Sequence, residues 1–129
     1  MSFDKDTYCT PKYVFNAMNR RFRFDLDACA SKENSLCKYF INAELDITKQ
    51  STIDDIDCGM RIWMNPPYSN PMPFVRAAIK LMTERDCVVV MLLPADKSTR
   101  WFNEAIGAAT EVIDVIGWTD QFHKSGNGR

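Results

Sequence analysis

Apolar residues recur along this chain in two forms, as short continuous runs and as longer stretches at helical spacing. The run CVVVMLL, residues 87–93, lies between Asp86 and Pro94 and predicts a central strand covered on both faces. An apolar run at residues 60–64 (MRIWM) predicts a second strand. Between the two runs, a helix is predicted by apolar residues at a spacing of three and four, namely Phe74, Val75, Ala78, Ile79 and Met82.

The rest of the chain continues this alternation. Thr10 as N-cap and Pro11 at the first helical position predict a helix that runs to about Phe22, with Val14, Phe15 and Met18 on its apolar face. Pro71 and Pro73 are expected at the start of the later helix. The other predicted elements are a strand at 24–27, one or two helical turns at 32–38, the end of a strand at 44–47, a loop at 48–59, a helix at 101–109 and a last strand at 112–116.

This succession of strands and helices predicts an α/β fold with a mostly parallel sheet and helices on both faces. With 129 residues and 46% hydrophobic composition, the chain is expected to form one compact domain over residues 1–129. Right-handed crossovers would place Asp27, Asp46 and Asn65 along one edge of the sheet.

Charge and cysteine content narrow the class of protein. A formal net charge of -1 argues against a general nucleic-acid coat protein but permits a local basic face. Arg20, Arg21 and Arg23 form either a solvated helix end or a phosphate contact. The five cysteines are scattered and odd in number, which fits reduced thiols. With one histidine, His123, and no C-x-x-C pair, a zinc site is not expected.

The sequence indicates neither a membrane or secreted protein nor a calcium-binding protein. No apolar run is long enough to span a bilayer and no secretory leader opens the chain, so we expect a cytoplasmic protein without a membrane partner. Asp54, Asp55 and Asp57 lack the glycine and the terminal glutamate of a calcium loop, and we expect a solvated charge run rather than a metal site.

The main candidate for chemistry is the tetrapeptide Asn65-Pro66-Pro67-Tyr68, directly after a predicted strand. Two prolines make the turn stiff. The Asn65 amide oxygen and the Pro66 carbonyl are suited to accept the hydrogens of an amino group on a planar base, and Tyr68 to stack on the ring. Two such acceptors favour positive charge as the amino nitrogen attacks an electrophile. The alternative is an ordinary proline-rich turn after a strand.

A second candidate site is the small-residue turn Ala28-Cys29-Ala30-Ser31, which follows a strand ending at Asp27. Small side chains let the backbone approach a ligand, and turns of this kind hold nucleotide-like ligands at strand ends. The alternative is a plain strand-to-helix turn capped by the aspartate. Asp46, near the end of the next predicted strand, is placed to meet a second part of such a ligand.

The ordered set of motifs resembles the phage-type DNA N-6-adenine methyltransferases (the Dam-like family). It comprises Thr10-Pro11, FDLDACAS at 24–31, Asp46, MNPPYSNP at 64–71 and MLLPADKSTRWF at 91–102. The resemblance implies a Rossmann-like fold, S-adenosylmethionine as methyl donor, and an adenine flipped out of double-stranded DNA. It implies catalytic roles for Asn65, Pro66, Pro67 and Tyr68, and cofactor-binding roles for Thr10, Pro11, Asp27, Ala28, Cys29 and Asp46.

The resemblance also implies a biological setting. Such an enzyme would work in the cytoplasm of a phage-infected host and protect phage DNA from restriction. Because no target-recognition domain is evident, any sequence preference is expected to come from loops or from a homodimer.

Two departures from the family pattern leave other interpretations open. The cofactor turn contains no glycine, and family members continue past residues 125–129 into a hairpin strand. A truncated chain, a degenerate phage gene or completion by a partner chain would each account for an empty strand position beside the sheet. The alternative functions are methylation of RNA or of a protein glutamine amide, and a catalytically silent nucleic-acid-binding remnant.

Overall fold

The structure, a computed structural model, describes residues 10–115. The predicted roles of Cys9, His123 and the tail from residue 116 onward lie outside these residues. In chain order the elements are α1 (Lys12–Phe22), β1 (Leu26–Asp27), β2 (Tyr39–Phe40), α2 (Gln50–Asp54), β3 (Arg61–Met64), α3 (Met72–Arg85), β4 (Val88–Met91) and α4 (Arg100–Ala108).

The sheet is four-stranded and parallel, with the order β2-β1-β3-β4. Asp27 at the end of β1 pairs in register with Trp63 of β3, and Met64 pairs with Met91 of β4. From β1 the chain passes to one side to form β2, and it then crosses to the other side of β1 to form β3. The strand order therefore reverses between β1 and β3, where α/β sheets open a crevice at the carboxyl ends of their strands.

Both faces of the sheet are covered, as the alternation of elements predicts. Ile62 and Met64 of β3 pack on one face with Ile53 of α2 and Leu81 of α3. The intervening Trp63 points to the opposite face and packs with α1 residues of a second core cluster. This cluster consists of Val14, Phe15, Trp63 and Leu92. An α/β fold with a parallel sheet is thus confirmed.

The long periodic segments take the predicted form. β3, α3, β4 and α4 all lie within a residue or two of their predicted positions. Pro71 is the N-cap of α3, Pro73 lies in its first turn, and Asp86 ends the helix in the left-handed conformation. The helix start thus uses proline where the missing N–H is harmless.

Three local predictions were wrong. The second strand is Tyr39–Phe40 rather than 44–47, since Asp46 has a φ of 59° and cannot continue an extended strand. Residues 48–59 contain the short helix α2 rather than only a loop. Residues 32–38 form turns and bends: one helical bond, from the Ser35 N–H to the Ser31 carbonyl, is not continued, because the Leu36 N–H donates to the Asp27 carboxylate instead.

The predicted central position of β4 was also wrong for the part of the chain that the structure describes. β4 is the last strand of the sheet there, and Val88 is 44% exposed. Residues 112–115 of the predicted last strand do not form a strand, and Val112 and Ile113 are exposed. Between residues 10 and 115, no helix has both the length and the apolar character needed to cross a membrane.

Candidate active site

A cleft of about 1070 Å³ opens at the carboxyl ends of β1 and β3. Its wall combines the turn after β1, the loop after β2, the tetrapeptide after β3 and Thr10, which lies two residues before α1. All the site residues predicted from the sequence line it except Pro11. The sheet edge expected to collect Asp27, Asp46 and Asn65 is therefore the edge that forms the cleft.

The Asn65 side chain is hydrogen-bonded at both ends of its amide. Its Nδ2 donates to Thr10 Oγ1 at 2.7 Å, and its Oδ1 lies 2.7 Å from the Tyr68 hydroxyl. The same hydroxyl lies 3.2 Å from the Leu92 carbonyl oxygen. Since Leu92 follows β4, this chain of bonds joins the start of α1 and the ends of β3 and β4.

Tyr68 therefore contacts the amide oxygen that a target amino group would need. A phenol has one proton, so the Tyr68 hydroxyl donates to Asn65 Oδ1 or to the Leu92 carbonyl at a given moment. Pro66 is buried, whereas Asn65, Pro67 and Tyr68 are half-buried at the cleft wall. The tetrapeptide thus faces a cavity of nucleotide size rather than the interior.

Asp27 is a buried carboxylate, 3% exposed, that organises the turn after β1. It accepts from the backbone N–H of Cys29 at 3.3 Å and of Leu36 at 3.1 Å. Burial raises the pKa of Asp27, and the two backbone hydrogen bonds oppose that rise. The aspartate cap foreseen as the alternative is present, and each carboxylate oxygen keeps acceptor capacity beyond it.

The turn itself presents little side-chain bulk. Ala28 is 1% exposed, and its backbone N–H donates to the Trp63 carbonyl across to β3. Burial, and then the charges of Asp27 and Asp46, raise the pKa of Cys29 well above its ordinary range. A neutral thiol is a poor nucleophile, so Cys29 contributes wall rather than chemistry.

Asp46 reaches the cleft from the loop after β2. Its Oδ1 accepts from the backbone N–H of Thr48 at 3.0 Å and from the Thr48 hydroxyl at 2.6 Å. These bonds lower the pKa of Asp46, so its carboxylate is ionised at neutral pH. Both bonds go to one oxygen, which leaves the other for a ligand.

The start of α1 corrects one prediction. Pro11, not Thr10, is the N-cap, and within the described residues 10–115 no side chain caps the helix. The Thr10 hydroxyl is instead bonded to Asn65, and the Pro11 carbonyl accepts from Val14 and Phe15. Pro11 does not line the cleft.

Two site features could not be found from side-chain patterns. Leu36 and Leu92 act through backbone groups, which any residue carries. Trp63 is 1% exposed at the cleft wall, and its Nε1 has no hydrogen-bond partner in the structure. Among residues 10–115, no group of three or more His, Cys, Asp or Glu side chains is arranged to hold a metal ion.

Comparison with known proteins adds an independent finding. The family model described as DNA N-6-adenine-methyltransferase (Dam) matches residues 1–127. A DNA N-6-adenine-methyltransferase of Haemophilus phage HP1 is 43% identical over 114 residues, which is 87% of this chain and 63% of the relative. A protein of the same name from Escherichia phage T1 is 41% identical over 110 residues, 84% of this chain and 44% of the relative.

The chain thus spans less than two thirds of the length of either relative. No solved structure matches it.

Proposed function

Since this chain belongs to the DNA N-6-adenine-methyltransferase (Dam) family, we propose that it transfers a methyl group from S-adenosylmethionine to the exocyclic amino group of adenine in double-stranded DNA. One observation carries the proposal: Asn65-Pro66-Pro67-Tyr68 lines the same cleft as the small-residue turn after β1. We further propose that residues 1–129 act as one domain of the Rossmann-like methyltransferase fold, of which the four-stranded parallel sheet is the core.

The cleft fits a nucleoside-like cofactor together with a base. Its volume of about 1070 Å³ lies just above the range of small-molecule sites, roughly 300–1,000 Å³, which leaves room for two ligands. The turn at Ala28 and Cys29 gives close backbone approach. The second carboxylate oxygen of Asp46, which has no donor among residues 10–115, can accept from ribose-type hydroxyls. We assign cofactor contacts to these residues and to Asp27. Thr10 lines the cleft beside them with its hydroxyl bonded to Asn65, and Pro11, which does not line the cleft, is assigned no direct contact. When bound, S-adenosylmethionine supplies an electrophilic methyl group on its sulfonium.

The target amino group is expected to bind at Asn65. An adenine inside a duplex cannot reach a cleft, so the base must be flipped out, as other enzymes that act on bases require. Asn65 Oδ1 and the Pro66 carbonyl then accept its amino hydrogens, and the Tyr68 ring stacks on the base. For that to happen, the hydrogen bond from the Tyr68 hydroxyl to Asn65 Oδ1 must break. The hydroxyl can then donate to the Leu92 carbonyl instead.

DNA is the acceptor that the comparisons favour over RNA or a protein glutamine. Both relatives are named for methylation of adenine in DNA. A catalytically silent remnant is disfavoured because the whole tetrapeptide is present and lines a cavity.

The direct test is transfer of a radiolabelled methyl group from S-adenosylmethionine to unmethylated duplex DNA. We expect incorporation by the wild type and background incorporation by Asn65→Ala. A matched control is Asn16→Ala, which removes an exposed asparagine side chain of α1 away from the cleft and should leave activity unchanged.

Parallel reactions with RNA and with a glutamine-containing protein identify the acceptor class. Calorimetry with S-adenosylmethionine separates an enzyme from a silent remnant. Binding without incorporation into any acceptor, or no binding at all, would contradict the proposal.

A further inference from the structure

We infer that Thr10 is a positioning residue for Asn65, holding the side-chain amide so that its oxygen faces the target base. The inference deepens the proposed function and rests on it for its kinetic consequence. The observation behind it is the 2.7 Å bond from Asn65 Nδ2 to Thr10 Oγ1, between residues 55 positions apart.

An asparagine amide needs such a restraint. Its oxygen accepts and its nitrogen donates, and the terminal torsion that exchanges them is broad. With the nitrogen facing the target, two donors would oppose each other and the developing positive charge would lose an acceptor. Only one orientation of Asn65 is therefore productive.

Thr10 and Tyr68 bond to different atoms of the Asn65 amide, Thr10 to the nitrogen and Tyr68 to the oxygen. Thr10 accepts from Nδ2, so Oδ1 points to the opposite side, where the Tyr68 hydroxyl lies. Tyr68 has the Leu92 carbonyl as another acceptor and can leave without becoming unsatisfied. The bond from Asn65 Nδ2 to Thr10 is kept when the Tyr68 hydroxyl changes its acceptor. Asn65 Oδ1 is then available to the target amino group.

The location of Thr10 supports this role over helix capping. It precedes α1, yet its side chain makes no cap bond to that helix. Because α1 packs on the sheet through Val14 and Phe15, the Thr10 hydroxyl is fixed relative to β3.

The test compares Thr10→Val, which removes the acceptor at nearly constant shape, with Thr10→Ser, which keeps it. We expect Thr10→Val to lower kcat about tenfold, the effect of one hydrogen bond lost in the transition state. The affinity for S-adenosylmethionine, measured by calorimetry, should stay within about twofold, as expected for a bond not made to the cofactor. Thr10→Ser should restore most of kcat.

Thr83→Val is the matched control, because Thr83 is an exposed threonine on α3 whose hydroxyl bonds only within its own helix. It should match the wild type in both measurements. If Thr10→Val instead weakens cofactor binding about tenfold and leaves kcat unchanged, Thr10 is a cofactor ligand and the inference is wrong.

A second readout does not depend on activity. The side-chain ¹⁵N amide signals of Asn65 can be assigned by their loss in Asn65→Ala. We expect them to shift and to exchange faster with water in Thr10→Val but not in Thr10→Ser or Thr83→Val.

Unchanged signals in Thr10→Val would overturn the inference even in an active enzyme. If the wild type methylates no DNA while the signals depend on Thr10 as described, the proposed function fails and the positioning contact stands.

Discussion

At the scale of the residue, Tyr68 plays two separable parts. Its ring is the proposed platform for the base, and its hydroxyl bonds to the acceptor that the base must use. A competing bond of this kind is worth about 0.5–1.5 kcal/mol, whereas stacking a base on an aromatic ring is worth about 1–3 kcal/mol. The two parts should therefore have opposite effects on DNA methylation.

We predict that Tyr68→Phe keeps or raises kcat/KM for DNA, by up to about fivefold, because it removes the competing donor and retains the ring. Tyr68→Ala should lower kcat/KM by about 10–100-fold through loss of the stack. Steady-state kinetics on one duplex measures both. Equal losses in the two variants would show that the hydroxyl itself is needed.

The cysteines offer a test of the cleft wall. Burial raises the pKa of Cys29, and burial with the nearby Asp27 and Asp25 charges raises the pKa of Cys37 to about 12. Thiolate is the reactive form, and a raised pKa means less of it at pH 8 than in an ordinary thiol. Cys58 is exposed.

We therefore predict that iodoacetamide at pH 8 alkylates Cys58 at least tenfold faster than Cys29 or Cys37, as followed by peptide mass spectrometry. Denaturant should abolish the difference. Rapid labelling of Cys29 in the folded protein would mean that the turn after β1 is open.

At this scale, the sequence located residues that the structure brings to one cleft where a motif carries its own chemistry. The asparagine-proline tetrapeptide and the Asp27 turn were both identified, and both line the cleft. The partner of Thr10 was not predicted, because a bond across 55 residues depends on how α1 docks on the sheet. Local rules assign such a threonine to its own helix.

At the scale of the element, the apolar spacing of α3 predicted a helix but not every residue on its buried side, since it included Met82 and not Leu81. Leu81 is fully buried against the sheet, while the next residue, Met82, is 38% exposed. Truncation of a buried leucine leaves a cavity that the surroundings fill only in part.

We predict that Leu81→Ala lowers the free energy of unfolding by about 2–5 kcal/mol, a large share of the ~5–15 kcal/mol typical of a domain. Met82→Ala should change it by less than about 1 kcal/mol. Urea unfolding followed by circular dichroism measures both. Similar losses would indicate that α3 does not pack as described.

Elements with weak patterns were the ones predicted incorrectly. β2 has two residues, of which Tyr39 is exposed, and the apolar run that contains it, residues 39–41, is too short to identify a strand. α2 buries only Ile53 within five residues, too short a stretch for a helical period to be evident. Packing of Ile53 against α3 residues such as Leu81 stabilises this helix, and that contact cannot be predicted from the short sequence of α2.

At the scale of the whole molecule, the parallel sheet determines the site. Every strand ends at the same edge, and the reversal of strand order between β1 and β3 separates their following loops. The α/β class was predictable from the alternation of patterns. The position of β4 at the end of the strand order was not predictable. An apolar run indicates a strand with apolar neighbours, but it does not identify which elements those neighbours belong to.

The homodimer suggested by the sequence remains a prediction, and the exposed apolar side chains near β4 give it a test. Val112 is 58% exposed, and Val115 of the same segment packs, as does Val90 of β4, against the core cluster that contains Trp63 and Leu92. We predict association at rising concentration in sedimentation experiments, weakened about tenfold by Val112→Asp. Leu45→Asp, at a site 54% exposed on another surface, is the control. Equal effects would point to nonspecific adhesion.

The bonds from Asn65 to Thr10, and from Tyr68 to Leu92, also set a condition on synthesis. A growing polypeptide on the ribosome cannot form both contacts until the segment ending at Leu92 has emerged and packed beside β3. Incomplete products of translation would then contain Asn65 and Tyr68 without the contacts that hold them in the full fold. Time-resolved assays on stalled nascent chains should find competence only past that length.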